Sequence, residues 1–231
     1  MTTSAVDFAS LLCSRLCHDL LSPVGALNNG LELLADETDP AMRARCMELL
    51  AESARTSAAK LKFFRLAFGA AGGFGDTVDA HEARSALEGL LAGNKRLALG
   101  WLVEEDTLPK PAAKVLLNLG MIAGDALIRG GRLDVGAEQG DSTGPGRGSL
   151  EVVLRAQGPR LVLDPALRDA LTGGEAAAEV TARTAAAHLV HALVTAAGGR
   201  VQVDAGEEGV LLFGATFPAA VPMAAPVAAR T

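Results

Sequence analysis

The sequence predicts two parts: an N-terminal helical hairpin that pairs with a second copy as a four-helix bundle, and a C-terminal α/β sandwich. Three observations carry this. Two long stretches place apolar residues three and four apart, the period of a helix buried along one side. A glycine-rich stretch, Gly69 to Gly75, then interrupts the chain. Beyond it, helical patterns alternate with short extended runs, as in helices layered on a sheet.

The first helix is expected from about Val6 to Asp36. Taking His18 as the zero of a helical wheel, at about 100° per residue, Ala9, Cys13, Leu16, Leu20, Val24, Leu27, Leu31 and Leu34 fall on the opposite side. Pro23 lies inside this helix and calls for a kink or a local adjustment. Asp39-Pro40 reads as an N-cap followed by proline at the first helical position. The second helix then runs to about Ala71 and stops at Gly72-Gly73. Its apolar seam is Met47, Leu50, Ala54, Ala58, Leu61, Phe64 and Phe68. A lone hairpin has nothing to cover so wide a stripe. A homodimer does, with Leu16, Leu20, Leu27, Leu31, Leu50, Leu61, Phe64 and Phe68 at the interface.

The later elements follow in order. Helices are expected near Ala80–Leu91, Pro111–Ile128, Pro165–Leu171 and Glu179–Ala197. Strands are expected at Leu97–Val103, Leu133–Gly136, Leu150–Ala156, Arg200–Asp204 and Val210–Thr216, with a short extended piece at Leu161–Leu163. Residues 138–149 hold turn chemistry only and form a hairpin loop. The boundaries are 1–72 for the hairpin, 73–218 for the sandwich and 219–231 for a flexible tail rich in Ala and Pro.

Composition narrows the function. The 231 residues carry a net charge of −6, which argues against a nucleic-acid footprint. No apolar run reaches the roughly 18 residues of a membrane span, and no signal peptide is evident, so a cytoplasmic protein is expected. Cys13, Cys17 and Cys46 read as small buried apolar residues in a reducing compartment. His188 and His191 lack the companions of a metal site and read as structural; His81 is uninformative.

His18 is the informative residue. It points away from the apolar stripe, among the small or polar residues Ser14, Arg15, Ser22, Gly25 and Asn29. Asp19 follows it directly, and Pro23 follows five residues on. An imidazole so placed is open to approach by another protein. Leu11 and Leu21 are apolar yet lie near the His18 side, as either partner contacts or bundle flank. Asp19 is either an orienting carboxylate or a plain surface charge.

His18-Asp19-Leu20-Leu21-Ser22-Pro23 resembles the phospho-acceptor box of sensor histidine kinases, and the hairpin resembles their dimerisation domain. The run from Leu189 through Gly198-Gly199 to the strand closing at Phe217-Pro218 is similar to the end of the kinase ATP-binding (Bergerat) domain. Leu116-Leu117-Asn118-Leu119 resembles the start of its metal-binding helix. The nucleotide chemistry is missing, however. Met121-Ile122-Ala123 stands where a metal-ligating asparagine belongs. Ala156 replaces the acid of the adenine-reading box, and Glu175 to Ala182 holds no lid glycine. An acceptor histidine beside a lost nucleotide site resembles the ChpT-type histidine phosphotransferases. The stretch Leu12 to Leu34 is very close to that family's first helix.

The resemblance implies a phosphorelay for bacterial cell-cycle control. The receiver domain of a hybrid histidine kinase would phosphorylate His18, and response-regulator receiver domains would take the group on. Asp19 would orient the imidazole. Leu11, Ser14, Arg15, Leu21, Ser22 and Gly25 would form the docking face. Arg155 and Arg160 are either basic contacts to an acidic receiver or solvated charges. The chain itself would bind no cofactor and no metal, the receiver bringing Mg2+. Two other readings compete: an ATP-dependent histidine kinase with divergent boxes, and a non-catalytic docking module.

Overall fold

Ser4 and Asp39 start the two long helices. The Ser4 hydroxyl accepts from the Asp7 backbone N–H at 3.1 Å, opening α1, Ala5–Asp36. The Asp39 carboxylate accepts from the Met42 N–H at 3.0 Å, and Pro40 begins α2, Pro40–Ala67. The computed structural model describes residues 4–69, 75–140, 148–174 and 180–218. The expected glycine stop at 72–73, most of the 138–149 loop and the tail lie outside them.

The chain continues as β1 (Thr77–Asp79), α3 (Ala80–Leu91), β2 (Leu97–Trp101), β3 (Thr107–Pro109), α4 (Lys110–Ala126), β4 (Gly131–Gln139), β5 (Leu150–Gln157), α5 (Pro165–Thr172), α6 (Ala185–Ala196), β6 (Arg200–Asp204) and β7 (Val210–Phe217). The main sheet has the order β2-β4-β5-β7-β6, parallel only between β2 and β4. Leu133, Val135 and Ala137 of β4, Val152, Leu154 and Ala156 of β5, and Phe213 and Ala215 of β7 are buried. They alternate with Asp134, Arg155 and Leu212, so one face carries the helices and the other meets water. α3, α4 and α6 all contact this sheet, and α4 is almost wholly buried.

The structure adds one small sheet and moves the start of one helix. Strands β1 and β3 pair antiparallel as a separate two-stranded sheet that the sequence reading missed. The expected extended piece at Leu161–Leu163 makes one isolated bridge, from Leu161 to Leu127. The last long helix starts at Ala185, not Glu179. Thr181 and Thr184 explain the delay, because each hydroxyl accepts from the other's backbone N–H, at 3.3 and 3.0 Å, and holds a turn that competes with helix.

Within the hairpin, Pro23 and Gly30 of α1 and Cys46 and Ser57 of α2 are buried. A Cβ at Gly30 would lie 2.9 Å from the tip of the Leu50 side chain, so a larger residue there would make that side chain shift where the two helices meet. The end of α2 belongs to the sandwich. Phe63, Phe64, Leu66 and Ala67 lie in one continuous core with α4 and the sheet. Phe64 stacks edge-on against Phe63, with ring centroids 5.5 Å apart, and Phe68 lies 5.2 Å from Phe64. Phe64, expected at a dimer seam, is therefore only 1% exposed within its own chain, and Phe68 packs on the same core. The stripe of α2 serves two surfaces in succession.

Part of the hairpin's remaining apolar surface is uncovered. Val24 and Leu31 of α1 and Met47 and Leu61 of α2 are exposed, while Leu16, Leu20, Leu27 and Leu50 are half-buried. Cys46 is buried, but Cys13 and Cys17 are exposed, against expectation. They share the strip of Val24 and Leu31, which neither α2 nor the sandwich covers.

Candidate functional site

The site is built around a missing hydrogen bond. Proline has no N–H, so Pro23 leaves the carbonyl of Asp19, four residues earlier, without its helical donor. The Lys60 ammonium, on α2, donates to that carbonyl oxygen at 2.7 Å. The helix runs unbroken through Pro23, and the Lys60 contact ties the two arms together at the turn that carries His18.

His18 itself is open, its side chain 83% exposed. Its Nδ1 lies 3.1 Å from Asp19 Oδ1. A carboxylate only accepts, so Nδ1 carries the proton and Nε2 keeps its lone pair in the neutral ring. Arg15 Nε donates to the other Asp19 oxygen at 2.9 Å. Arg15 Nη2 lies 3.3 Å from Asp125 Oδ2, in the last turn of α4. Burial opposes the charge on Asp19, but the hydrogen bonds of Arg15 and His18 and the Arg15 charge outweigh it and hold the carboxyl below its ordinary pKa. Burial likewise opposes the charge on Arg15, and its bonds to Asp19 and Asp125 reverse the shift upward. The protein around Asp125 pushes its carboxyl up while Arg15 pulls it down; the side chain is 65% exposed, so water moderates both effects. Arg15, Asp19, Arg55, Lys60 and Asp125 line a cleft of about 740 Å3 between the hairpin and the α3–α4 layer.

A family model for the histidine phosphotransferase C-terminal domain matches residues 80–209, more than half of the chain. The chain belongs to the histidine phosphotransferase family. It is 35% identical over 215 residues to the protein phosphotransferase ChpT of Brucella abortus (strain 2308), covering 91% of this chain and 96% of that one. A solved structure of a bacterial phosphotransferase superposes with a TM-score of 0.79 at 32% identity, covering 93% of this chain and 98% of its own.

In this histidine phosphotransferase the predicted site residues fall into three groups. Ser14, Leu21, Ser22 and Gly25 are exposed on α1 around His18, and a methyl at Gly25 would meet nothing within 4 Å. Leu11 is half-buried, on the helix that contacts α6. Arg15 is not a free docking cation: its side chain is 19% exposed and committed to Asp19 and Asp125. Arg155 lies apart, on the sheet face turned from the helices, donating to Gln157 at 2.7 Å. Arg160 is exposed beside Leu161, whose bridge to Leu127 puts it near the C-terminal end of α4.

The positions that the resemblance assigns to the nucleotide boxes carry apolar side chains in this histidine phosphotransferase. Ala156 is a buried methyl, and Met121, Ile122 and Ala123 are buried apolar residues. Asn118 is fully buried and donates to the carbonyls of Lys114 at 2.8 Å and Ala67 at 3.2 Å, fastening the end of α2 to α4. The stretch 175–179 of the expected lid lies outside the described residues. Among the described residues no cluster of metal-ligating side chains occurs, and no helix is long and apolar enough to cross a membrane.

Sequence reading missed Lys60 and Asp125. Pro23 implies an orphan carbonyl at Asp19, but nothing local names the donor. Asp125 does leave a trace: an acid in the last turn of a helix opposes the helix dipole.

Proposed function

We propose that this chain relays phosphoryl groups between receiver domains through His18. One observation carries the reading: an exposed imidazole whose Nδ1 is held by Asp19, leaving Nε2 free to attack. The Nε2 lone pair attacks the phosphorus of a receiver aspartyl phosphate. The bond from phosphorus to the aspartate oxygen breaks, and the carboxylate leaves. The product is an Nε2 phosphohistidine with its Nδ1 proton still in place, and the ring's positive charge lies against Asp19. Attack by a second receiver's aspartate reverses these steps. Mg2+ and the groups around the aspartate belong to the receiver.

The family resemblance extends the proposal to a cell-cycle phosphorelay in the cytoplasm, with a hybrid histidine kinase as donor and response regulators as acceptors. We also infer a homodimer. Cys13, Cys17, Val24 and Leu31 on α1, with Met47, Ala54, Ala58 and Leu61 on α2, form an apolar strip that a second hairpin would cover. The apolar nucleotide-box positions support a chain that does not draw phosphate from ATP.

Radiolabel transfer tests the relay. Purified labelled receiver is mixed with the wild type and with His18→Ala, beside direct incubation with labelled ATP. Label is expected on the wild type alone, and only from the receiver. Label from ATP would make the chain a kinase. Docking of the receiver with no label on the wild type would leave only the docking role.

A further inference from the structure

Asp125 is out of place by local rules. It is the one acid in α4, it sits in the last turn, and carbonyl dipoles there disfavour negative charge. Its guanidinium partner, Arg15, is 110 residues away in sequence and one helical turn before His18. That guanidinium forks, with Nε on Asp19 Oδ2 at 2.9 Å and Nη2 on Asp125 Oδ2 at 3.3 Å. The opposite oxygen of Asp19 meets His18 Nδ1 at 3.1 Å. The contacts form an unbroken series, His18–Asp19–Arg15–Asp125, from the acceptor ring to the central helix of the sandwich.

We propose that Asp125 is a positioning residue for phosphoryl transfer: it anchors Arg15, and through Arg15 the carboxylate that orients His18. This rests on the relay reading. It gives the α/β domain a task that requires no nucleotide. Without Asp125, the Arg15 side chain is tethered only to its own helix, and the Asp19 carboxylate swings more freely between rotamers. The imidazole then loses its fixed Nδ1–H partner and samples the tautomer with Nε2 protonated, which cannot attack. Asp125 touches neither ring nor phosphate, so its effect falls on the fraction of productive rings and not on docking.

The test uses the full chain with Asp125→Asn, Asp125→Glu and Asp125→Lys. The Asp125 side chain is exposed, and asparagine is isosteric, so the fold is expected to tolerate the change. Phosphoryl transfer from a labelled receiver is followed under single-turnover conditions, and the ring nitrogens of His18 are followed by 15N NMR. For Asp125→Asn the transfer rate at saturation should fall about two- to fivefold, the range of a partly exposed ion pair, with half-saturation unchanged. The two ring nitrogen shifts should move toward each other as the tautomers mix. Asp125→Glu should restore both, and Asp125→Lys should exceed the asparagine effect. In an Arg15→Gln background, Asp125→Asn should add nothing.

Unchanged ring shifts and rates in Asp125→Asn would overturn the proposal. So would a loss confined to half-saturation, which would make Asp125 a docking contact, or an undiminished effect without Arg15. If the wild type takes no label, the relay reading fails; the ring shifts still decide the role of Asp125.

Discussion

Lys60 reaches from α2 to the Asp19 carbonyl, which Pro23 has deprived of its helical donor. The contact is partly buried, so removing the ammonium leaves an acceptor poorly supplied by water. Lys60→Met should cost about 1–2 kcal/mol in urea denaturation. In a Pro23→Ala background the residue-23 N–H regains Asp19, and the same substitution should cost clearly less. Equal costs in the two backgrounds would show that lysine and proline are not linked. Histidine, acid and proline are all legible in the sequence because they lie within one helical turn or so of each other. Lys60 and Asp125 are not, because their partners are fixed only when α2 and α4 pack beside α1.

At the scale of elements, the long helices were readable from their apolar period and from the Asp39-Pro40 start. The short ones show where such reading runs out. Thr77–Asp79 and Thr107–Pro109 are three residues each, too short for an alternation to register, and pair only through contacts distant in sequence. Ala-rich residues before Ala185 read as helix until the paired threonine hydroxyls of 181 and 184 are seen. The α2 stripe is ambiguous in another way: an apolar residue every three or four positions marks a covered face but not what covers it. Phe64 meets the sandwich, whereas Leu61, one turn earlier, meets solvent. The proposed dimer follows from the exposed part. Val24→Asp with Leu31→Asp should turn the dimer into a monomer in analytical ultracentrifugation, since two charges would face an apolar partner. A wild type that sediments as a monomer would remove the dimer from the proposal.

The whole molecule is organised by a core that crosses from hairpin to sheet. Phe63, Phe64, Leu66 and Ala67 are shared, and Asn118 secures the carbonyl at the end of α2. Hairpin and sandwich should therefore unfold together at fixed protein concentration. Trp101, the single tryptophan, reports the sandwich from β2, while far-UV circular dichroism is dominated by the helices. Phe64→Ala should destabilise by about 3–5 kcal/mol and shift both signals by the same amount. Divergent midpoints in the wild type would show two independent units.

That shared core also bears on traffic. The final turns of α2 are held along one face, where Phe63, Phe64, Leu66 and Ala67 enter the core while Arg65 meets water, so the described hairpin is fixed to the sandwich at its root. Under the relay reading, a receiver meets a finished landing surface, and the pace of exchange is governed by collision frequency and surface charge. On that reading, the adjustment on docking falls to the incoming partner.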